Sequence, residues 1–112
     1  MNDLEEKMQS IVDVVVSSCI TTMNVVSSEL ATKEEILSKS KKQNAVMARS
    51  ILAFALHRYG FTNTSICSLL GCTKSAVSKM ITKHAEYKKT NKSYLLACKS
   101  IRLYIEGNDN VS

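Results

Sequence analysis

Apolar residues recur along this chain with the period of a helix. Leu4, Met8, Ile11, Val12, Val15, Cys19 and Met23 repeat over about five turns, opened by Asp3 as a cap with Glu5 and Glu6 in the first turn. The β-branched run Ile11–Val16 is strand-like taken alone, but its apolar face continues in register on both sides, which predicts one long helix. Ser27 to Leu30 reads as a connection. Thr32-Lys33-Glu34-Glu35 then has the form of a capping box and opens a short helix with Ile36 and Leu37 inward. Val46, Ile51, Leu52, Ala55, Leu56 and Tyr59 define a helix over Ala45 to Tyr59, stopped by Gly60. A last helix from Ser93 to Ile105 has Leu95, Leu96, Cys98, Ile101, Leu103 and Ile105 as its apolar set. The remainder, 107–112, is polar and reads as a flexible tail.

Between the two last helices lies TNTSICSLLGCTKSAVSKMIT, residues 62–82, which has the spacing of a helix–turn–helix. Ile66, Cys67 and Leu70 share one face of a short helix. Gly71 follows where a tight turn needs a positive φ, and the small Cys67 lies four residues before it. A second helix carries Val77, Met80 and Ile81 inward and is expected to run to about Tyr87. Thr62 or Thr64 caps the first helix and Thr73 the second. The outward residues of the second are Lys74, Ser75, Ser78, Lys79 and Thr82, all hydrogen-bonding types. A rod with an apolar back and such a front suits a DNA major groove. The helix–turn–helix spans 62–86, with 74–86 as its recognition helix.

Charge strengthens this picture. The net charge is +5, but its distribution matters more: from Ile36 to Ile105 there are thirteen Lys and Arg against one acid, Glu86. The other nine acids lie in the first 35 residues and the tail. Such separation points to a polyanionic partner, where a merely solubilising surface mixes its signs. The basic stretch 38–44, Ser-Lys-Ser-Lys-Lys-Gln-Asn, has no apolar anchor. It reads either as an exposed linker or as a loop lying on a DNA backbone or in a minor groove. Lys88 to Lys92 reads as a basic hinge.

No Pro and only three Gly favour helices over a multi-turn β protein, so the fold class is all-α, a single multi-helix bundle over 1–106. The longest apolar run is far short of a membrane span, and Met1 is followed by acids rather than by the basic region of a signal peptide, so neither is expected. Cys19, Cys67, Cys72 and Cys98 form no Cys-x-x-Cys pair, and His57 and His84 complete no zinc-finger spacing. Free thiols among apolar neighbours in a reducing cytoplasm are expected, with no metal and no cofactor. His84 and Tyr87 read as surface or boundary residues. No paired carboxylates, activated nucleophile or phosphate loop can be assembled, so no catalytic residue is assigned.

The order of elements resembles the C-terminal DNA-binding domain of the bacterial replication initiator DnaA, over roughly residues 8–105. Ile36-Leu37-Ser38-Lys39-Ser40-Lys41-Lys42 is similar to that family's Leu-Leu-Ser-Lys-Arg-Arg segment, and Ala48-Arg49-Ser50-Ile51 to its Ala-Arg-x-Ile helix. Gly71-Cys72-Thr73-Lys74-Ser75-Ala76-Val77 stands where the family has Gly-Gly-Arg-Asp-His-Thr-Thr-Val. The glycine and valine are kept, the turn is one residue shorter, and Thr73-Lys74 replaces Asp-His. The resemblance implies a Trp repressor-like helical fold, a basic loop at the minor groove and the second motif helix in the major groove. No Gly-x-x-x-x-Gly-Lys-Ser/Thr occurs, so the expectation is a stand-alone relative of the domain, a cytoplasmic, nucleoid-associated regulator of transcription, replication or a mobile element.

Sequence-specific binding to double-stranded DNA is therefore the first expectation. Lys74, Ser75, Ser78 and Lys79 are the candidate base readers. Lys39, Lys41, Lys42, Arg49, Thr64, Thr73 and Lys83 are the candidate phosphate contacts. The alternative is a helical protein-interaction or oligomerisation module, in which the apolar Leu4–Met23 stretch pairs with another subunit and the lysines solubilise. The two are compatible in a homodimer, since many helix–turn–helix proteins bind half-sites in pairs.

Overall fold

A computed structural model describes the backbone of residues 3–26 and 32–111 and the side chains of 5–22 and 32–101. Six helices follow one another: α1 (Asp3–Val26), α2 (Lys33–Ile36), α3 (Gln43–Arg58), α4 (Asn63–Leu70), α5 (Lys74–Thr90) and α6 (Lys92–Val111). The described residues contain no strand, as expected of an all-α bundle. None of these helices is long and apolar enough to cross a membrane.

α3 is the centre, and the other five helices all pack on it. Its sequence explains why. Ala45, Ala48, Ala53 and Ala55 let neighbours approach closely, while Met47, Ile51, Leu52 and Leu56 fill the space between them, all buried. A helix apolar around most of its circumference belongs in the interior. It starts at Gln43, two residues earlier than its apolar pattern indicates, because Val46 N–H already bonds the Lys42 carbonyl at 2.9 Å. Tyr59 and Gly60 stop it. Gly60 takes φ +92, and the next N–H, of Phe61, reaches back to the Leu56 carbonyl.

α1 is one helix through the β-branched run. Ile11, Val12, Val15, Val16 and Cys19 are buried, and the helix packs against α3 and α6. The side chains of Leu4 and Met23, and the connection Ser27–Leu30, lie outside the described residues. The capping box is present as read: Glu35 N–H donates to Thr32 Oγ1 at 3.2 Å and Thr32 N–H donates to Glu35 Oε1 at 3.0 Å.

The far side departs from the sequence expectation in two respects. First, the hinge after α5 is a single residue. α5 continues to Thr90, Asn91 is extended, and its Oδ1 accepts from Tyr94 N–H at 3.0 Å and Ser93 O–H at 2.7 Å. Lysines tolerate helix, and one capping Asn suffices to break and restart it. Helix α6 then runs to Val111, through the segment expected as a tail; Gly107 weakens a helix without stopping it. Second, the seam of α6 is Tyr94, Ala97 and Ile101, all buried, whereas Leu96 from the expected apolar set is 41% exposed. Leu103 and Ile105 lie outside the described side chains.

His84, expected at the surface or a boundary, is instead buried at 7% exposure. Its ring stacks on Phe54 of α3, centroids 3.7 Å apart, and its Nδ1 shares a 2.7 Å hydrogen bond with the fully buried Tyr94 hydroxyl of α6. Tyr87 leans on Tyr94, ring centroids 5.2 Å apart. The polar atoms of His84 and Tyr94 satisfy each other, which lets both sit inside. Burial, helped by the nearby Lys88 cation, pulls the imidazole pKa from 6.5 down to about 4.

Between those two values the unfolded chain holds a proton that the folded one does not, so stability rises with pH across that window. Urea unfolding is expected to show a loss of about 2 kcal/mol between pH 7 and pH 5. The slope should flatten in His84→Gln. Equal stabilities at the two pH values, or an unchanged slope in the variant, contradict this role for His84.

Candidate nucleic-acid interface

Two short-range devices set the pair α4 and α5. Thr62 caps α4, its Oγ1 accepting from Ser65 N–H at 3.1 Å; Thr73 caps α5 the same way, accepting from Ala76 N–H at 3.1 Å. Gly71 between them is left-handed, φ +63, and its N–H returns to the Cys67 carbonyl at 2.8 Å. Ile66 and Leu70 of α4 and Val77 of α5 are buried, with Cys67, Met80 and Ile81 half-buried against the same core. Three residues therefore turn one helix into the next, and the apolar backs of both are fixed.

The front of α5 faces outward. Lys74, Ser75, Ser78, Lys79, Thr82 and Lys83 are all exposed. The Thr82 hydroxyl donates to the Ser78 carbonyl at 2.9 Å. Lys74 and Lys79 have no acidic partner among the described residues; Lys83 is paired with Glu86 one turn on, at 3.2 Å. Such an exposed pair contributes little and gives way readily to a stronger anion.

The basic loop belongs to the same face, and Arg49 explains how. Arg49 projects from α3 toward the end of α2 rather than into solvent, and is 8% exposed. Its Nε donates to the Ile36 carbonyl at 2.9 Å, and its Nη2 donates to the carbonyls of Ser40 and, at 3.5 Å, Glu35. Burial lowers its pKa from the usual guanidinium value. Arg49 and Lys39 are within electrostatic range of the Cys72 thiol, in the turn that leads into α5. Lys39 and Lys41 are exposed and lack an acidic partner among the described residues. Lys39 of the loop is thus within electrostatic range of the turn that opens α5.

Other candidate phosphate contacts are placed differently from their sequence reading. Arg49 is not available to a phosphate, because three main-chain carbonyls hold it inside. Thr64 does not cap α4: Thr62 takes that position, and Thr64 is an exposed residue within the helix. Lys42 is exposed but bonded to Glu35 Oε2 at 2.8 Å, and this lysine is the first cause of the glutamate's lowered pKa. The capping box foreshadowed that pairing, since it anchors the Glu35 carboxylate at the start of α2, within reach of the loop's end.

The acids of α1 lie elsewhere. Helix α1 packs on α2, α3 and α6 and, among the described residues, touches neither α4 nor α5. Glu5, Glu6 and Asp13 line a shallow groove of their own with Gln9 and Ser10. Asp13 reaches Lys33 of α2 at 3.6 Å, not the front of α5.

Compared with known protein families, curated proteins and solved structures, the chain matches none.

Removing the Arg49 guanidinium takes the donor from the Ile36 and Ser40 carbonyls, while the Glu35 carbonyl keeps the N–H and O–H of Ser38. Arg49→Met is expected to cost about 2–3 kcal/mol in urea unfolding, whereas Lys41→Ala stays within about 0.5 kcal/mol of the parent. A wild-type midpoint for Arg49→Met contradicts the buried tether.

Proposed function

We propose that this protein binds double-stranded DNA sequence-specifically, as a stand-alone relative of the DnaA C-terminal domain. The front of α5 enters the major groove, and the loop 38–42 lies on the backbone or in the adjacent minor groove. One observation carries the reading: Lys74, Ser75, Ser78 and Lys79 form an exposed row on α5, the exposed Lys39 is within electrostatic range of the turn that opens it, and α1 with its acids touches neither α4 nor α5 among the described residues. The hydroxyls and ammonium groups match the donor and acceptor pattern of base edges, and a lysine can read guanine O6 and N7. The cations around them neutralise phosphates. The exposed start of α5 adds backbone N–H groups that can donate to a phosphate oxygen.

The alternative of an oligomerisation module drew on the wide apolar face of α1. Within that stretch, Val12, Val15 and Cys19 pack into the chain's own core.

Selection from random duplexes, followed by a salt titration on the selected site, tests the proposal. With four to six cations at phosphates, log K falls against log salt with a slope of about −4 to −5. Lys74→Ala is expected to relax base preference, losing about 1–3 kcal/mol of discrimination, and Lys41→Ala to weaken all duplexes about equally. No enriched sequence, or a salt-insensitive affinity, overturns the proposal; matching profiles for the two variants overturn the division of labour.

A further inference from the structure

The four cysteines are all free thiols, yet they do not have the same surroundings. Cys19 is fully buried between α1 and the core. Burial pushes its pKa far up, and Cys98, half-buried on α6, is raised to about 11. Cys67 and Cys72 are instead half-exposed, and they flank the left-handed Gly71. The carbonyl of Cys67 accepts from Gly71 N–H at 2.8 Å and from Cys72 N–H at 3.3 Å. In this kind of helix stop the residue after the glycine folds back over the last turn, and a contact between the two side chains frequently accompanies it. Here both are cysteines. Their thiols are within electrostatic reach of each other; burial and then Cys67 raise the Cys72 pKa, and the Arg49 and Lys39 cations offset part of that rise.

We propose that Cys67 and Cys72 are an oxidative modification site that closes to an intramolecular disulfide in the presence of a peroxide. One thiolate attacks a peroxide oxygen; the O–O bond breaks, hydroxide leaves, and a sulfenic acid forms. The second thiolate attacks that sulfur; the S–O bond breaks, hydroxide leaves again, and the S–S bond forms. With two protons from the thiols, two thiols and one hydrogen peroxide give one disulfide and two waters. The sulfurs lose two electrons and the peroxide gains them. A dithiol reverses the step by exchange.

The consequence for binding rests on the DNA-binding reading. A disulfide holds its two Cβ atoms about 3.5–4.5 Å apart with a fixed dihedral preference. Cys72 immediately precedes the cap Thr73 and the base-reading Lys74, so refitting the turn displaces the start of α5. Oxidation therefore weakens duplex binding, and a reductant restores it.

Trypsin separates the cases, because Arg58 and Lys74 bracket a single peptide, 59–74, that holds both Cys67 and Cys72. After treatment of the folded full chain with dilute hydrogen peroxide and alkylation of free thiols, that peptide is expected to lack two hydrogens and both alkyl groups. Dithiothreitol should restore it. Cys67→Ser and Cys72→Ser each abolish the change, with circular dichroism confirming that both variants fold. An unchanged peptide, a linkage joining Cys19 to Cys98, or a disulfide between two chains overturns the assignment. Duplex affinity measured on the same samples is expected to drop about tenfold on oxidation of the parent and not of Cys72→Ser. An unchanged affinity of the cross-linked protein overturns the regulatory consequence. Failure of the reduced protein to bind any duplex overturns the DNA reading instead, while the peptide mass decides the thiol chemistry independently.

Discussion

One buried cation holds the proposed face together. The Arg49 guanidinium, rooted in the central helix, donates to carbonyls from the end of α2 and from the middle of the basic loop. Main-chain carbonyls without a donor are costly to bury, and a charged donor bonds them more strongly than a neutral one. The planar fork of an arginine serves several acceptors at once, which a lysine in its place cannot. Through this tether a stretch with no apolar anchor of its own is fixed against α3. The lysines around it can then remain exposed.

The arrangement also separates charge by topology. With α3 in the middle, α1 packs on its α6 and α2 sides while α4 and α5 cover other parts of it. Acids of α1 are held away from the outward row of α5. Where acid and base do meet, as at Lys42 with Glu35 or Lys83 with Glu86, the pairs are local and half-exposed. On the proposed reading those two lysines exchange a carboxylate for a phosphate, and Lys39, Lys41, Lys74 and Lys79 have no such partner to give up among the described residues.

Much of this was legible in the residues. Local signals transferred directly: the Thr32–Glu35 box, the Thr73 cap, the stops at Gly60 and Gly71, and the inward Val77 all arise within a few residues of chain. What escaped depends on contacts between distant segments. Helical phase puts a histidine at position 84 on a boundary; only its meeting with Phe54 and Tyr94 makes the interior hospitable to it. The length of α5 hinged on whether Asn91 caps a new helix or sits in a loop, and both are common for that residue. Arg49 left a signal that pointed inward. It lies amid Ala45, Ala48, Ile51, Leu52 and Ala53 on a helix apolar nearly all round, where a cation must find its partners inside the protein. Nearness to the basic loop suggested a phosphate instead, and the nearness was correct while the direction of the side chain was not.

The account depends on residues 38–42 and 73–82 meeting the same polyanion while α1 stays clear of it. Amide chemical shifts followed during a titration with a selected DNA duplex test this most directly. Shifts and broadening concentrated in those two segments, with residues 5–22 unmoved, are the expected result. Perturbations centred on α1, or spread evenly over all helices, contradict it.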